Sequence, residues 1–220
     1  MQEENVESKP KKRSVFKIIL IIFLVVFLLI GGGVFWGYRK LMDLGSSTDL
    51  GVTYTYEDYN DLVRNLGIDV NPEELCLDCD PLTFTDPHEV DVMITDAQAS
   101  AAFDIVNEKL SYGKITNSQI KFSDGKGELS TTFTYQGRDY PVYIAGTVDK
   151  DSDKTVAGEI FELKAGGITV PSGAKSMVEE ALVNLANERM ATMEDTFRID
   201  KLELTDDGLD FNGKVPTKGN

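Results

Sequence analysis

The chain has 220 residues, 37 Asp and Glu against 22 Lys and Arg, a net charge of −15, one histidine and two cysteines. Residues 1–40 hold seven of the basic and three of the acidic groups, which leaves 15 basic against 34 acidic beyond them, a net charge of −19. Such a surface repels nucleic acid and anionic headgroups at long range, so nucleic-acid binding is not expected, and the acidity reads as solvation of an exposed domain.

Ile18 to Tyr38 is a run of twenty-one residues without a charge. As an α-helix it reaches ~31 Å, about the hydrocarbon thickness of a bilayer. No polar stripe with a period of 3.6 interrupts it, as one would in a soluble helix. A cleaved signal peptide is the competing reading, but its apolar region is usually only ~7–15 residues long. Here the run continues through Gly31-Gly32-Gly33 and ends in Phe35, Trp36 and Tyr38 before Arg39-Lys40, which suits a retained anchor at the lipid–water boundary. Lys9, Lys11, Lys12, Arg13 and Lys17 precede the run and only Arg39 and Lys40 closely follow it. The positive-inside bias therefore predicts a cytoplasmic tail over 1–17, a transmembrane helix over 18–38 and an extracytoplasmic remainder, a single-pass protein of the cell membrane.

Residues 39–55 read as a juxtamembrane linker. Residues 56–88 read as a short helix followed by a loop. Tyr59, Leu62, Val63 and Leu66 recur at spacings of three and four, and Gly67 supplies a stop. The loop contains Pro72, Pro81 and Pro87 and both cysteines, in Cys76-Leu77-Asp78-Cys79. Outside the cytoplasm paired cysteines are expected to form a disulfide. A redox role needs a lowered thiol pKa, whereas Glu73, Glu74, Asp78 and Asp80 disfavour a thiolate. A metal site needs about four ligands, which His88 and a carboxylate would have to complete; none is assigned.

Residues 89–216 have the size of one ordinary domain. Glu89 to Ile94 predicts a strand, and Thr95 with Gln98 forms a capping-box pattern that opens a helix to about residue 110. Four strands joined by tight turns follow, over 115–123, 129–135, 140–148 and 156–163, an antiparallel meander. In the second of them Leu129, Thr131, Phe133 and Tyr135 share a face expected to be buried, while Ser130, Thr132 and Thr134 share one expected to be wet. Ile168-Thr169-Val170-Pro171 leads to a helix with Ser172 as N-cap that runs to about Met193, with Val178, Ala181, Leu182, Leu185 and Met190 as its apolar stripe. Strands over 197–204 and 209–215 flank the turn Asp206-Asp207-Gly208. Grouped strands rather than alternating βαβ units predict an α+β domain with a curved antiparallel sheet wrapped around a long helix.

The helix opening Ile94-Thr95-Asp96-Ala97-Gln98, the meander, the stretch Ile168 to Pro171 before a long helix, and the closing Ile199 to Leu209 resemble small anchored bacterial envelope proteins of the YpmS-like and LmeA-like families. These are similar to the tubular lipid-binding (TULIP) superfamily. The resemblance spans roughly residues 89–216 and rests on a pattern of elements. Many such proteins carry Leu-Asn where this chain has Gln98-Ala99. The resemblance implies a long helix cradled by a curved sheet and an apolar groove that accepts acyl chains. Phe133, Tyr135, Val142, Ile144, Leu182 and Leu185 are the candidate groove residues. The same side chains can equally close on one another as a dry core.

No G-x-S-x-G, H-E-x-x-H or phosphate-binding glycine loop is present, and His88 is the one histidine for any Ser–His or Cys–His mechanism. No enzymatic activity and no cofactor are expected. Two functions stay open: a membrane-anchored module that binds lipid or another apolar ligand, and a structural or interaction module that docks a protein of the cell envelope.

Overall fold

The structure is a computed structural model that describes residues 47–68, 84–107, 114–135 and 137–219. The basic tail, the expected span over 18–38, and Cys76 and Cys79 lie outside the described residues. Among the described residues no helix is long and apolar enough to cross a membrane.

Helix α1 (Tyr56–Asn65) opens where the Thr55 N–H donates to Asp58 Oδ2 at 2.6 Å, and it buries Tyr59 and Leu62. Gly67, at φ +61°, stands just beyond its end. The segment before α1, read as linker, is tied to the domain: the Leu50 N–H donates to Gln119 Oε1 at 2.6 Å and the Tyr54 hydroxyl donates to Asp104. Helix α2 (Asp96–Asn107) carries the reciprocal cap its sequence predicts, Thr95 N–H to Gln98 Oε1 at 3.1 Å and Gln98 N–H to Thr95 Oγ1 at 3.3 Å. Helix α3 spans Ser172–Thr192. Ser172 is its first helical residue and not its cap; Pro171 takes that place, with a fixed φ of −58° that suits the entry to a helix.

The strands are β1 (Phe84–Ile94), β2 (Lys114–Ser123), β3 (Lys126–Tyr135), β4 (Arg138–Ser152), β5 (Thr155–Ala165), β6 (Ile168–Thr169), β7 (Arg198–Thr205) and β8 (Gly208–Gly219). They form an antiparallel five-stranded sheet in the order β2-β3-β4-β5-β6 and an antiparallel three-stranded sheet in the order β1-β8-β7. The architecture is α+β, as expected from grouped strands, but the strands divide between two sheets. β1 starts at Phe84, inside the stretch expected to be loop, and Pro87 faces Pro216 across the β1–β8 ladder. An edge strand tolerates proline because one side of it needs no donor.

The wet face expected for β3 is also corrected. Ser130 is 1% and Thr132 9% exposed. β3 lies inside the sheet, and Ser130 is flanked in register by Gln119 of β2 and Tyr143 of β4. Alternation reads which residues share a face, not what lies over it.

Helices shield both long edges of the five-stranded sheet with side chains that bond to the strand backbone. On the β2 edge, Asp96 Oδ1 accepts from the Phe122 N–H at 2.9 Å, and Ser100 Oγ accepts from the Ile120 N–H at 2.7 Å. On the β5 edge, Glu179 Oε2 accepts from the Ile160 N–H at 2.7 Å. Asn187 there accepts from the Val156 N–H at 2.8 Å and donates to the Val156 carbonyl at 3.0 Å. The geometry closes: eight helical residues rise ~12 Å and four strand residues ~13 Å, so Glu179 and Asn187 meet Ile160 and Val156 with little strain. Unpaired edges of this kind invite intermolecular pairing. Asn187→Ala is expected to cost ~1–3 kcal/mol by orphaning a half-buried donor and acceptor, visible as a lower urea midpoint and faster exchange of the Val156 amide.

Two apolar clusters hold the layers together. Ile160, Leu163, Val170, Ala174 and Val178 pack between β5 and the first half of α3. Val90, Ile199, Phe211 and Val215 form the other, joined by Val156, Met190, Phe197 and Leu202. The second cluster unites the three-stranded sheet, the end of α3 and the start of β5.

Candidate functional site

Between the two clusters the five-stranded sheet leaves an apolar groove of about 300 Å³, with α3 as one wall. Its lining follows strand periodicity. Ile120 and Phe122 of β2 and Gly127 and Leu129 of β3 alternate along their strands and pair with one another in register. Ile144, Gly146 and Val148 of β4 continue the same face, as do Val156, Gly158 and Ile160 of β5. Leu182, Val183 and Ala186 of α3 and Leu204 of β7 add to the walls, and Glu128, Thr147, Ala157, Glu159 and Glu179 border it as well. A volume of this size stands at the lower end of small-molecule sites, which span ~300–1,000 Å³.

Three of these inward positions, Gly127, Gly146 and Gly158, carry no side chain. Gly127 and Gly146 face each other directly across the β3–β4 ladder. A register shift between Ala145 and Gly146 leaves Phe161 as an extra residue in β5. The bulge turns Phe161 outwards, 44% exposed, and lets both Ile160 and Leu163 face inwards although they are three residues apart. Opposite Gly158, Val183 sits on the same helix face as the two β5-capping residues, Glu179 and Asn187, four positions from each.

Of the six candidate groove residues, Ile144 and Leu182 line the groove. Phe133 and Val142 share the inward face of β3 and β4 by alternation but lie outside the groove, and Leu185 is a half-buried residue of α3 that does not line it. The side chain of Tyr135 falls outside the described residues. Leu182, expected in the buried stripe of α3, is 42% exposed and stands at the rim, because the helix packs on the edge of β5 and leaves part of its apolar side over open space. Phe122, the three glycines, Val183 and Leu204 went unrecognised in the sequence. The available signal was glycine inside a strand, which marks close backbone approach or missing volume.

Other polar features lie away from the groove. Both ring nitrogens of His88 are engaged, Nε2 with the Leu66 carbonyl at 2.9 Å and Nδ1 with Thr217 Oγ1 at 3.0 Å, so the histidine ties α1 to β8. Burial, then the hydrogen bond to Asp104, push the Tyr54 hydroxyl far above its ordinary pKa and keep it a neutral donor. Among the described residues no group of three or more His, Cys, Asp or Glu side chains is arranged to hold a metal ion. Comparison of the chain with known protein families, with curated proteins and with solved structures yields no match.

Proposed function

We propose that this domain binds the acyl chain of a lipid in the groove between the β2–β5 face and α3, while the helix expected over 18–38 holds it at the outer face of the membrane. The observation that carries the reading is the groove itself, about 300 Å³ with an almost wholly apolar lining. If a methylene takes about the ~30 Å³ that a water occupies in the liquid, the groove has room for roughly ten. Each buried methylene contributes ~0.8 kcal/mol, enough for useful affinity without any charged partner. The five-stranded sheet, wrapped towards α3, is consistent with the cradle that the YpmS-like and LmeA-like resemblance implies. In this reading the protein is not an enzyme, and a Cys76–Cys79 disulfide would staple the loop before β1.

Native mass spectrometry of the extracytoplasmic fragment 41–220, released from membranes without detergent, tests the proposal. A one-to-one adduct with the mass of a lipid or fatty acid is the expected result. Bare protein that also takes up no lipid from vesicles would overturn it, leaving the envelope-interaction reading, whose partner crosslinking would then recover.

A further inference from the structure

We infer that Gly127 sets the length of the chain the groove accepts; the inference rests on the acyl-binding reading above. The three floor glycines are not equivalent. A Cβ on Gly146 would stand 2.3 Å from the Glu159 carbonyl oxygen, and one on Gly158 would stand 3.1 Å from the Thr147 oxygen and 3.4 Å from Val183. At both positions close backbone approach demands a small residue. Gly127 carries no such demand. A Cβ there would meet only ring carbons of Phe122 at 3.8 Å and Leu204 Cδ1 at 4.0 Å, ordinary contact distances. Alanine at 127 would restrict the unfolded chain and favour folding, so glycine at this position is a stability concession that the backbone does not require.

What glycine does there is leave space beside Phe122 and Leu204. Phe122, 8% exposed, and Leu204 line the groove beside Gly127, whereas Leu182 on the α3 wall is 42% exposed. The β2–β3 and β7–β8 turns, which follow Phe122 and Leu204 in the chain, are joined where the Asp124 N–H donates to Asp206 Oδ1 at 2.7 Å. An unbranched chain entering beside Leu182 ends its run over Gly127, its terminal methyl against Phe122 and Leu204. The side chains nearest Gly127, Phe122 and Leu204, are apolar, which suits a hydrocarbon terminus.

The test uses the full-length protein reconstituted in phosphatidylcholine vesicles, with fatty acids of increasing chain length bearing a terminal diazirine. Mass spectrometry locates and counts the adducts after illumination. The wild type is expected to favour one length and to carry its adducts on Phe122 or Leu204. Gly127→Leu fills the end of the groove, and each excluded methylene lowers affinity about fourfold (~0.8 kcal/mol per buried CH₂). Adducts at the favoured length should fall at least tenfold, with preference moving to shorter chains. Gly127→Val carries the same comparison with a smaller plug, and Gly127→Ala should fold and keep the wild-type preference to within about one carbon. An unchanged length preference in Gly127→Leu and Gly127→Val would overturn the role of Gly127 while leaving acyl binding intact. Absence of groove adducts in the wild type at every length would overturn both.

Discussion

Gly146→Ala is expected to destabilise the domain by about 3 kcal/mol or more, the upper end of what overpacking costs. The added methyl would lie 2.3 Å from the Glu159 carbonyl oxygen, a backbone atom that cannot rotate away as a side-chain tip would. Relief requires β4 and β5 to separate at their register shift, where Phe161 already lacks a partner. Separation there would also pull the Ile160 N–H from Glu179, so the loss spreads to the packing of α3. The directly opposed Gly127→Ala should move the other way, gaining ~0.4–1 kcal/mol, because its Cβ meets only ordinary contacts and the unfolded chain loses freedom. Urea unfolding of the two variants is the measurement. Similar losses from both substitutions would mean that the two glycines serve one backbone constraint, contrary to the geometry described above.

Ile199→Ala should cost ~3–5 kcal/mol, in the range for deleting a large buried aliphatic side chain that its surroundings cannot collapse upon. Ile199 is 1% exposed and belongs to the cluster with Val90, Phe211 and Val215. It also joins the two sheets through the backbone, its N–H donating to the Asp153 carbonyl at 2.8 Å. A register shift between Ile199 and Lys201 frees Asp200 from the ladder, and Phe197 stacks on Phe211 with ring centroids 6.2 Å apart. So many fixed neighbours leave little scope for relaxation. Calorimetry should show a lower melting temperature with unfolding still in a single transition. If the three-stranded sheet instead melted separately, the second cluster would not be the joint between the sheets.

Local order was legible because its causes are local. The exchange of bonds between Thr95 and Gln98, the turn glycines Gly67 and Gly208, and the even spacing of β2 to β5 are each decided within a few residues. Errors came where a distant element covers or frees a residue. Ser130 and Thr132 look wet by alternation and are buried on an inner strand; Leu182 looks like core and is 42% exposed on a helix that rests on a strand edge. The groove was the least legible feature. Its outline depends on Gly127, Gly146, Gly158, Val183 and Leu204 converging from four strands and a helix.

The sequence by itself determined the acidic character of the chain, an uncharged stretch of membrane-spanning length, the identity and order of the elements, and their α+β grouping. These follow from side-chain polarity and its period along the chain. Only the tertiary structure decided that the strands split into two sheets, that helices shield both long edges of the larger one, and that the interior is partly empty. The physical reason is that a void is set by side chains that are missing. A glycine gives no sign of the space it leaves until the register of its neighbours, bulges included, places other glycines beside it.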